Sequence, residues 1–213
     1  MRPRLVLATA NAGKVRELKE AMAGLDIELL AASELGVTGY PAEDGARYED
    51  NALIKAAFTL KATGLPSLAD DSGLEVAALE GAPGVLSARF GAEDGAVSDA
   101  ERTAYLLEKL TGVPPAKRQA KFVAVLALVR PGGEAKLFRG ECQGEILAGP
   151  RGDNGFGYDP VFYSHDLAKS FAEATVEEKR RVSHRGLAMA GLLAWLKSAE
   201  GQTSVLAEGS PSS

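Results

Sequence analysis

A mixed α/β sheet with flanking helices is the fold class the sequence predicts, and three observations carry it. Apolar strand-like runs alternate with helical periodicity through the first half of the chain. The strongest strand pattern, Lys121–Arg130 (KFVAVLALVR), is followed by the turn residues Pro131–Gly133 and a returning segment, which reads as a hairpin. Parallel βα units and a hairpin in one chain favour a mixed sheet over a purely parallel one.

The elements follow in order. Arg4–Thr9 (RLVLAT) reads as a short buried strand, and Ala10–Gly13 as a turn into a helix with Val15, Leu18, Met22 and Leu25 at helical spacing. Ile27–Leu30 predicts a second strand. From Asn51 to Thr63 the pattern is helical, with Leu53, Ala57 and Leu60 on one face and Gly64 as C-cap. Leu65–Ala69 enters the sheet and stops at Asp70, before a Ser-Gly turn. Gly81–Gly84 (GAPG) is a rigid turn. Ser98 and Glu101 have capping-box spacing ahead of a helix bearing Leu106, Leu107 and Leu110, ended by Gly112 and Pro114–Pro115. Glu134–Glu141 is the hairpin partner of Lys121–Arg130. Gly149–Gly157 (GPRGDNGFG) is loop, Thr175 and Glu178 open another helix, and Ser183 caps a last one through Trp195. Residues 1–200 form one domain, and 201–213 is a Ser/Gly-rich tail expected to be disordered.

Composition narrows the chemistry. The chain has 213 residues, 46% of them hydrophobic, and a net charge of −5. The acidic balance argues against a nucleic-acid polymer as partner. A single cysteine, Cys142, excludes an internal disulfide and disfavours a thiolate metal site. Without a signal peptide or an apolar run long enough for a bilayer, the expected location is the cytoplasm, with no membrane partner.

Four strings bear chemistry. In LADDSG, an apolar run leads into the adjacent acids Asp70 and Asp71. Such a strand end is poor core but suits a divalent cation bound through oxygen, with one acid able to deprotonate a water. The competing account is a surface turn with an Asx hydrogen bond, which the apolar lead-in disfavours. Glu43, Glu49 and Asp50 are further acids, any of which singly reads equally well as dipole-complementing charge at a helix start. In TANAGK, Thr9, Ala10, Asn11, Ala12, Gly13 and Lys14 lie between strand and helix, where backbone N–H groups favour an anion. Taken alone, an ordinary turn capped by Asn11 with a solvated Lys14 is the simpler account. Phe156, Gly157, Tyr158 and Asp159 follow a Gly-rich loop and offer a stacking ring and a short acid, although Tyr158 by itself reads as a core anchor. Lys179, His184 and Arg185 lie in KRRVSHR, whose ordinary meaning is a solvated basic face. His165 reads as surface. Together these strings point to an enzyme acting on a nucleoside triphosphate.

Read together, LATANAGK, NALIKA, LADDSGLEV, GAPGVLSARF, GFGYDPVF, FAE with EEK, and SHRG resemble the inosine triphosphate pyrophosphatase family, the house-cleaning dITP/XTP pyrophosphatases. The resemblance spans Leu5 to Leu196. It implies two lobes around a central cleft, a homodimer, and Mg²⁺-dependent hydrolysis of ITP, dITP and XTP to the monophosphate and pyrophosphate. It implies Asp71 as general base and metal ligand, Glu43 as second ligand and Asp70 in support. It assigns Thr9–Lys14 and Ser72 to substrate contact, Phe156 to purine stacking, Gly157–Asp159 to the pocket wall, and Lys179, His184 and Arg185 to donation toward the base. Three departures are Asp50 where Glu is usual, Asp44 in place of a common Thr beside Glu43, and the lack of the family's Asn pair in the helix after SARF. A general nucleotide phosphohydrolase and a nucleotide sensor without turnover are the alternatives.

Overall fold

The computed structural model describes residues 2–132, 135–198 and 201. The chain opens with β1 (Arg4–Leu7), α1 (Ala12–Met22), β2 (Glu28–Ala31), α2 (Tyr48–Thr63) and β3 (Ser67–Val76). It continues with α3 (Asp99–Lys109), β4 (Gln119–Val129), β5 (Ala135–Ile146), β6 (Phe162–Ser164), β7 (Lys169–Ser170), α4 (Val176–Val182) and α5 (His184–Lys197). Among the described residues the sheet has seven strands in the order β2-β1-β3-β4-β5-β6-β7. β1 is parallel to β2 and β3, whereas β5–β6 and β6–β7 are antiparallel, so the sheet is mixed as expected. Among the described residues no helix is long and apolar enough to cross a membrane.

Local sequence explains most element ends. Asn11 caps α1 by accepting the Lys14 N–H at 3.1 Å, which starts the helix inside the segment expected to be turn. α2 ends on Gly64, whose φ of 70° is the left-handed conformation a C-cap requires. Ser98 with Glu101 and Thr175 with Glu178 both form complete capping boxes. Ser183 Oγ accepts from Gly186 N–H at 3.1 Å and opens α5.

Three expectations are corrected. β3 does not stop at Asp70: it runs on through Asp71, Ser72 and Gly73 to Val76. The acids are therefore interior strand residues, 0% and 5% exposed, rather than a rim. The buried stripe of α2 is Tyr48, Asn51, Ala52, Lys55, Ala56 and Thr59, not Leu53, Ala57 and Leu60. Periodicity reasoning assigns Asn, Lys and Thr to the solvent side, and here Asn51 and Lys55 face inward because they serve polar partners. α1 ends at Met22, so Leu25 lies beyond it. Gly133 and Glu134 of the predicted hairpin, and residues 202–213 of the predicted tail, lie outside the described residues.

The chain divides into two compact units, Met1–Asp71 with Val125–Arg139 and Ala188–Ser213, and Ser72–Ala124 with Gly140–Leu187. In the first, α1 and α2 bury Leu18, Met22, Ala52 and Ala56, and the strands bury Leu5, Val6, Leu7 and Leu68. The second holds an aromatic core in which Phe122, Phe162 and Phe171 pack with ring centroids 4.6 to 5.9 Å apart.

Asn51 performs a specific local task. Its Oδ1 accepts from Gly45 N–H at 2.9 Å and its Nδ2 donates to Gly45 O, which fixes the segment two residues after Glu43. Gly45 has no room for a Cβ, which would meet Asn51 Oδ1 at 2.7 Å. Asn51→Ala orphans both groups of that peptide and should cost about 1–3 kcal/mol, read as the shift in the urea midpoint.

Candidate active site

The first unit carries a cluster of charge on β3. Asp70 and Asp71 are consecutive strand residues, and consecutive side chains point to opposite faces of a sheet. They accordingly take different lysines. Lys14, one turn into α1, pairs with Asp70 Oδ1 at 2.5 Å and reaches Asp70 O at 3.3 Å. Lys55, on the polar stripe of α2, donates to Asp71 Oδ1 at 2.8 Å, Asp70 O at 2.9 Å and Glu43 Oε2 at 3.1 Å. The Lys14 of the simpler turn account is thus not solvated, although Asn11 does cap. Thr9 Oγ1 accepts from Asn11 N–H at 3.2 Å, which holds the strand-to-helix loop in shape.

Three carboxyls thus face two ammonium groups, a deficit of one positive charge in a largely buried place. The consequence is visible in their acidity. Burial pushes the Asp71 carboxyl up to about 6, against the opposing pull of Lys55 and Lys14. Burial acts on Glu43 too, but Lys55 outweighs it and holds that acid below the ordinary range. Lys55 is held above its ordinary value, because Asp71 and Glu43 outweigh its own desolvation. Asp71 Oδ2 is buried with no hydrogen-bond donor among the described residues.

That orphaned oxygen tests whether the site fits a divalent cation. A buried carboxylate oxygen facing no donor, with a second carboxyl from Glu43 on the same lysine, is a hard-oxygen donor set one positive charge short. It fits a small divalent cation that keeps water and substrate oxygens as its other ligands. Among the described residues no group of three Asp, Glu, His or Cys side chains forms a closed cage. Asp70, committed to Lys14, is not grouped with Glu43 and Asp71. Glu49 and Asp50 are engaged elsewhere, with Arg139 at 2.8 Å and Arg47 at 2.9 Å.

The second unit carries a cluster of rings and cations. Phe156 has the Lys179 Nζ 5.0 Å and the Arg185 Cζ 5.6 Å from its ring centroid. Asp159, 3% exposed, accepts from Lys179 Nζ at 2.6 Å and Phe156 N–H at 2.8 Å through the same oxygen. It positions the ring and the lysine. Tyr158 is buried, and its hydroxyl donates to Ser87 O at 2.9 Å, so it is the core anchor it resembles when read alone. Ser87 Oγ accepts from Leu74 N–H at 2.8 Å, which ties the SARF segment to β3. Arg185 donates to Ser72 Oγ at 3.1 Å. His184 stacks on Phe122, with centroids 4.6 Å apart and planes 13° apart. The basic run is therefore not one solvated face: Arg180 and Arg181 are exposed, while Lys179, His184 and Arg185 are buried. His165 is exposed, as expected.

The Ham1 family model matches residues 5–195. The chain belongs to the Ham1 family. A dITP/XTP pyrophosphatase of Deinococcus deserti is 55% identical over 190 residues, covering 89% of this chain and 88% of that protein. One from Thermus thermophilus is 53% identical, covering 89% and 90%. Among solved structures, a Ham1 protein from Coxiella burnetii aligns at a TM-score of 0.83 and 40% identity, covering 92% of this chain and all of that one. A nucleoside-triphosphatase, dITP/XTP pyrophosphatase, from Mycobacterium abscessus aligns at 0.73 and 44% identity, covering 89% and 98%.

Lys55 is the residue the sequence reading leaves out. It sits in the NALIKA block, and a lysine four residues after an asparagine on a helix looks solvated. The available signal was the mostly small and polar stripe Asn51–Ala52–Lys55–Ala56–Thr59, which is an odd choice for a solvent face. Lys55→Met leaves the buried Asp71 and the partly exposed Glu43 without their shared ammonium and should destabilise by about 3 kcal/mol at neutral pH, the low end for a buried pair because solvent screens Glu43. The loss raises both acids in the folded state. A raised acid costs stability above its folded pKa and is relieved as pH falls through it, so the destabilisation should shrink from pH 8 toward pH 5. Urea unfolding of both proteins across that range reads it directly.

Proposed function

We propose that this Ham1 chain hydrolyses non-standard purine nucleoside triphosphates, dITP, ITP and XTP, to the monophosphate and pyrophosphate. The observation that carries this is the pairing of a cation-deficient carboxylate cluster with a buried ring-and-donor cluster in one family member. One set suits a metal-bound triphosphate and the other a purine bearing an acceptor oxygen. Residues 1–200 act as one functional domain, since the family match runs through both units.

Phosphates are held by the Thr9–Lys14 loop at the start of α1, where a helix N-terminus favours an anion and Lys14 adds a positive charge. Asp71 and Glu43 hold the cation, Mg²⁺, which when bound polarises the phosphoryl oxygens. Asp70 supports the site by fixing Lys14. Asp71 has the acidity a base needs: burial keeps it near neutrality, so it can take a proton from the attacking water and return it. Lys55 stabilises the charge Asp71 carries before it takes that proton and after it gives it up.

The purine stacks on Phe156, between Gly157 and the Lys179 side. Lys179, His184 and Arg185 supply donors for the 6-oxo acceptor of hypoxanthine or xanthine, with Ser72 holding Arg185. Adenine presents a donor at that position and leaves buried donors unpaired, a penalty of about 1–3 kcal/mol per lost bond. A homodimer is carried over from the family resemblance, and the cytoplasm is its expected place of action.

Hydrolysis of dITP, XTP, dATP and dGTP with Mg²⁺ present, with pyrophosphate and phosphate assayed separately, tests the proposal. Pyrophosphate from dITP and XTP, with little from dATP or dGTP, is expected; phosphate, or equal rates on all four, overturns it. Asp71→Asn should lower kcat by about 10²–10⁴-fold while dITP binding stays measurable by calorimetry. Arg185→Ala should narrow the dITP-to-dATP ratio of kcat/KM by about tenfold; an unchanged ratio places discrimination elsewhere.

A further inference from the structure

α3 begins at Asp99, and Thr103 lies one turn later on the same helix face. Both reach one residue, Gly157, of the loop that bears Phe156, one on each of its two peptide units. Asp99 Oδ2 accepts from Gly157 N–H at 2.8 Å, and Thr103 Oγ1 donates to Gly157 O at 3.4 Å. Asp99 is itself anchored, because Arg102 pairs with its other oxygen and donates to Val97 O at 3.0 Å.

The consequence falls on Phe156. Its own N–H is held by Asp159, and the N–H of the next peptide is held by Asp99. The two peptide units that flank the Phe156 Cα are therefore both pinned by carboxylates. With those planes fixed, φ and ψ of Phe156 are fixed, and so is the direction in which the ring leaves the backbone. Gly157 has a φ of 62°, a conformation that glycine adopts without strain and that the clamp holds in place. On the carbonyl side of the same peptide, Phe156 O accepts from Asp159 N–H at 3.3 Å, so the α3 contact supplies the restraint on the N–H side.

We propose that Asp99 and Thr103 are positioning residues that set the Phe156 ring for base stacking, so that α3 tunes base-dependent affinity without touching substrate. This rests on the reading of Phe156 as the stacking platform. It also gives a use to a helix whose departure from the family's Asn pattern left it without one. Preorganisation of this kind acts on binding: it removes an ordering cost that the substrate otherwise meets.

The test uses the full chain and four variants: Asp99→Ala, Asp99→Asn, Thr103→Val and Phe156→Ala. Steady-state kinetics with dITP are set beside inhibition by tripolyphosphate, an anion with no base. Asp99→Ala should raise KM for dITP by about tenfold with kcat nearly unchanged, the pattern of lost uniform binding. Its tripolyphosphate inhibition constant should not move. Asp99→Asn keeps an acceptor for Gly157 N–H and should return KM to within about threefold of the parent, while Thr103→Val should raise it by about threefold. An unchanged KM in both Asp99→Ala and Thr103→Val, or an inhibition constant that rises in step with KM, overturns the proposal. Should Asp99→Ala not fold, Thr103→Val decides on the same two readouts. Phe156→Ala separates the levels: if it leaves KM for dITP unchanged, the stacking reading itself fails, and if it alone raises KM, only the clamp fails.

Discussion

Burying Asp71 in the middle of a strand is the constraint on which the rest of the first unit depends. An ionised carboxylate out of water is costly unless paired. The pairing comes from Lys55, and Lys55 reaches Asp71 only because α2 turns a polar stripe inward. That stripe in turn needs Asn51 to hold the Gly45 peptide and so bring Glu43 to the same ammonium. One buried charge thus accounts for an inward-facing lysine, a buried asparagine and a glycine that admits no Cβ. The pairing is incomplete: burial outweighs the pull of Lys55 and Lys14 and keeps the Asp71 carboxyl up at about 6, and its Oδ2 has no donor among the described residues. A fully neutralised cluster would be a better core and a worse site.

The second unit solves a related problem with aromatic rings. Lys179 and Arg185 are buried cations, each held by an oxygen and faced by a π-system. Asp159 and Ser72 are the oxygens, and Phe156 is the shared ring. Donors fixed in this way cannot swing to follow a substrate. In the proposed function they favour a base that presents an acceptor where they already point and penalise one that does not. Tyr158 and Ser87 contribute rigidity: one hydroxyl on a backbone carbonyl, and one backbone N–H on a hydroxyl, bind the base loop, the SARF segment and β3 into one framework.

Features set by chain-local physics were legible from the residues. The capping boxes of α3 and α4, the Asn11 cap, the Gly64 stop and the long apolar β4 all depend on side chains within a few positions of one another. The chemistry-bearing strings were legible for the same reason, as dense runs of unusual residues. What failed was the inference of direction. ADDSG contains two acids and a glycine, all poor strand residues, so a strand end is the natural reading; the neighbours in the sheet override that propensity.

Sequence alone therefore determined the fold class and the family and marked the residues proposed for the chemistry, because those readings depend on local propensity and on motif order. Tertiary structure decided which of those residues work together. It gave Asp70 to Lys14 and Asp71 to Lys55, turned Asp159 and Tyr158 into supports, and buried half of a basic run while leaving Arg180 and Arg181 in water. It also brought in Lys55 and Asp99, whose partners stand far away in sequence. The physical reason is that charge pairing and burial are set by distances across the fold, and no local pattern encodes which distant group will stand within 3 Å.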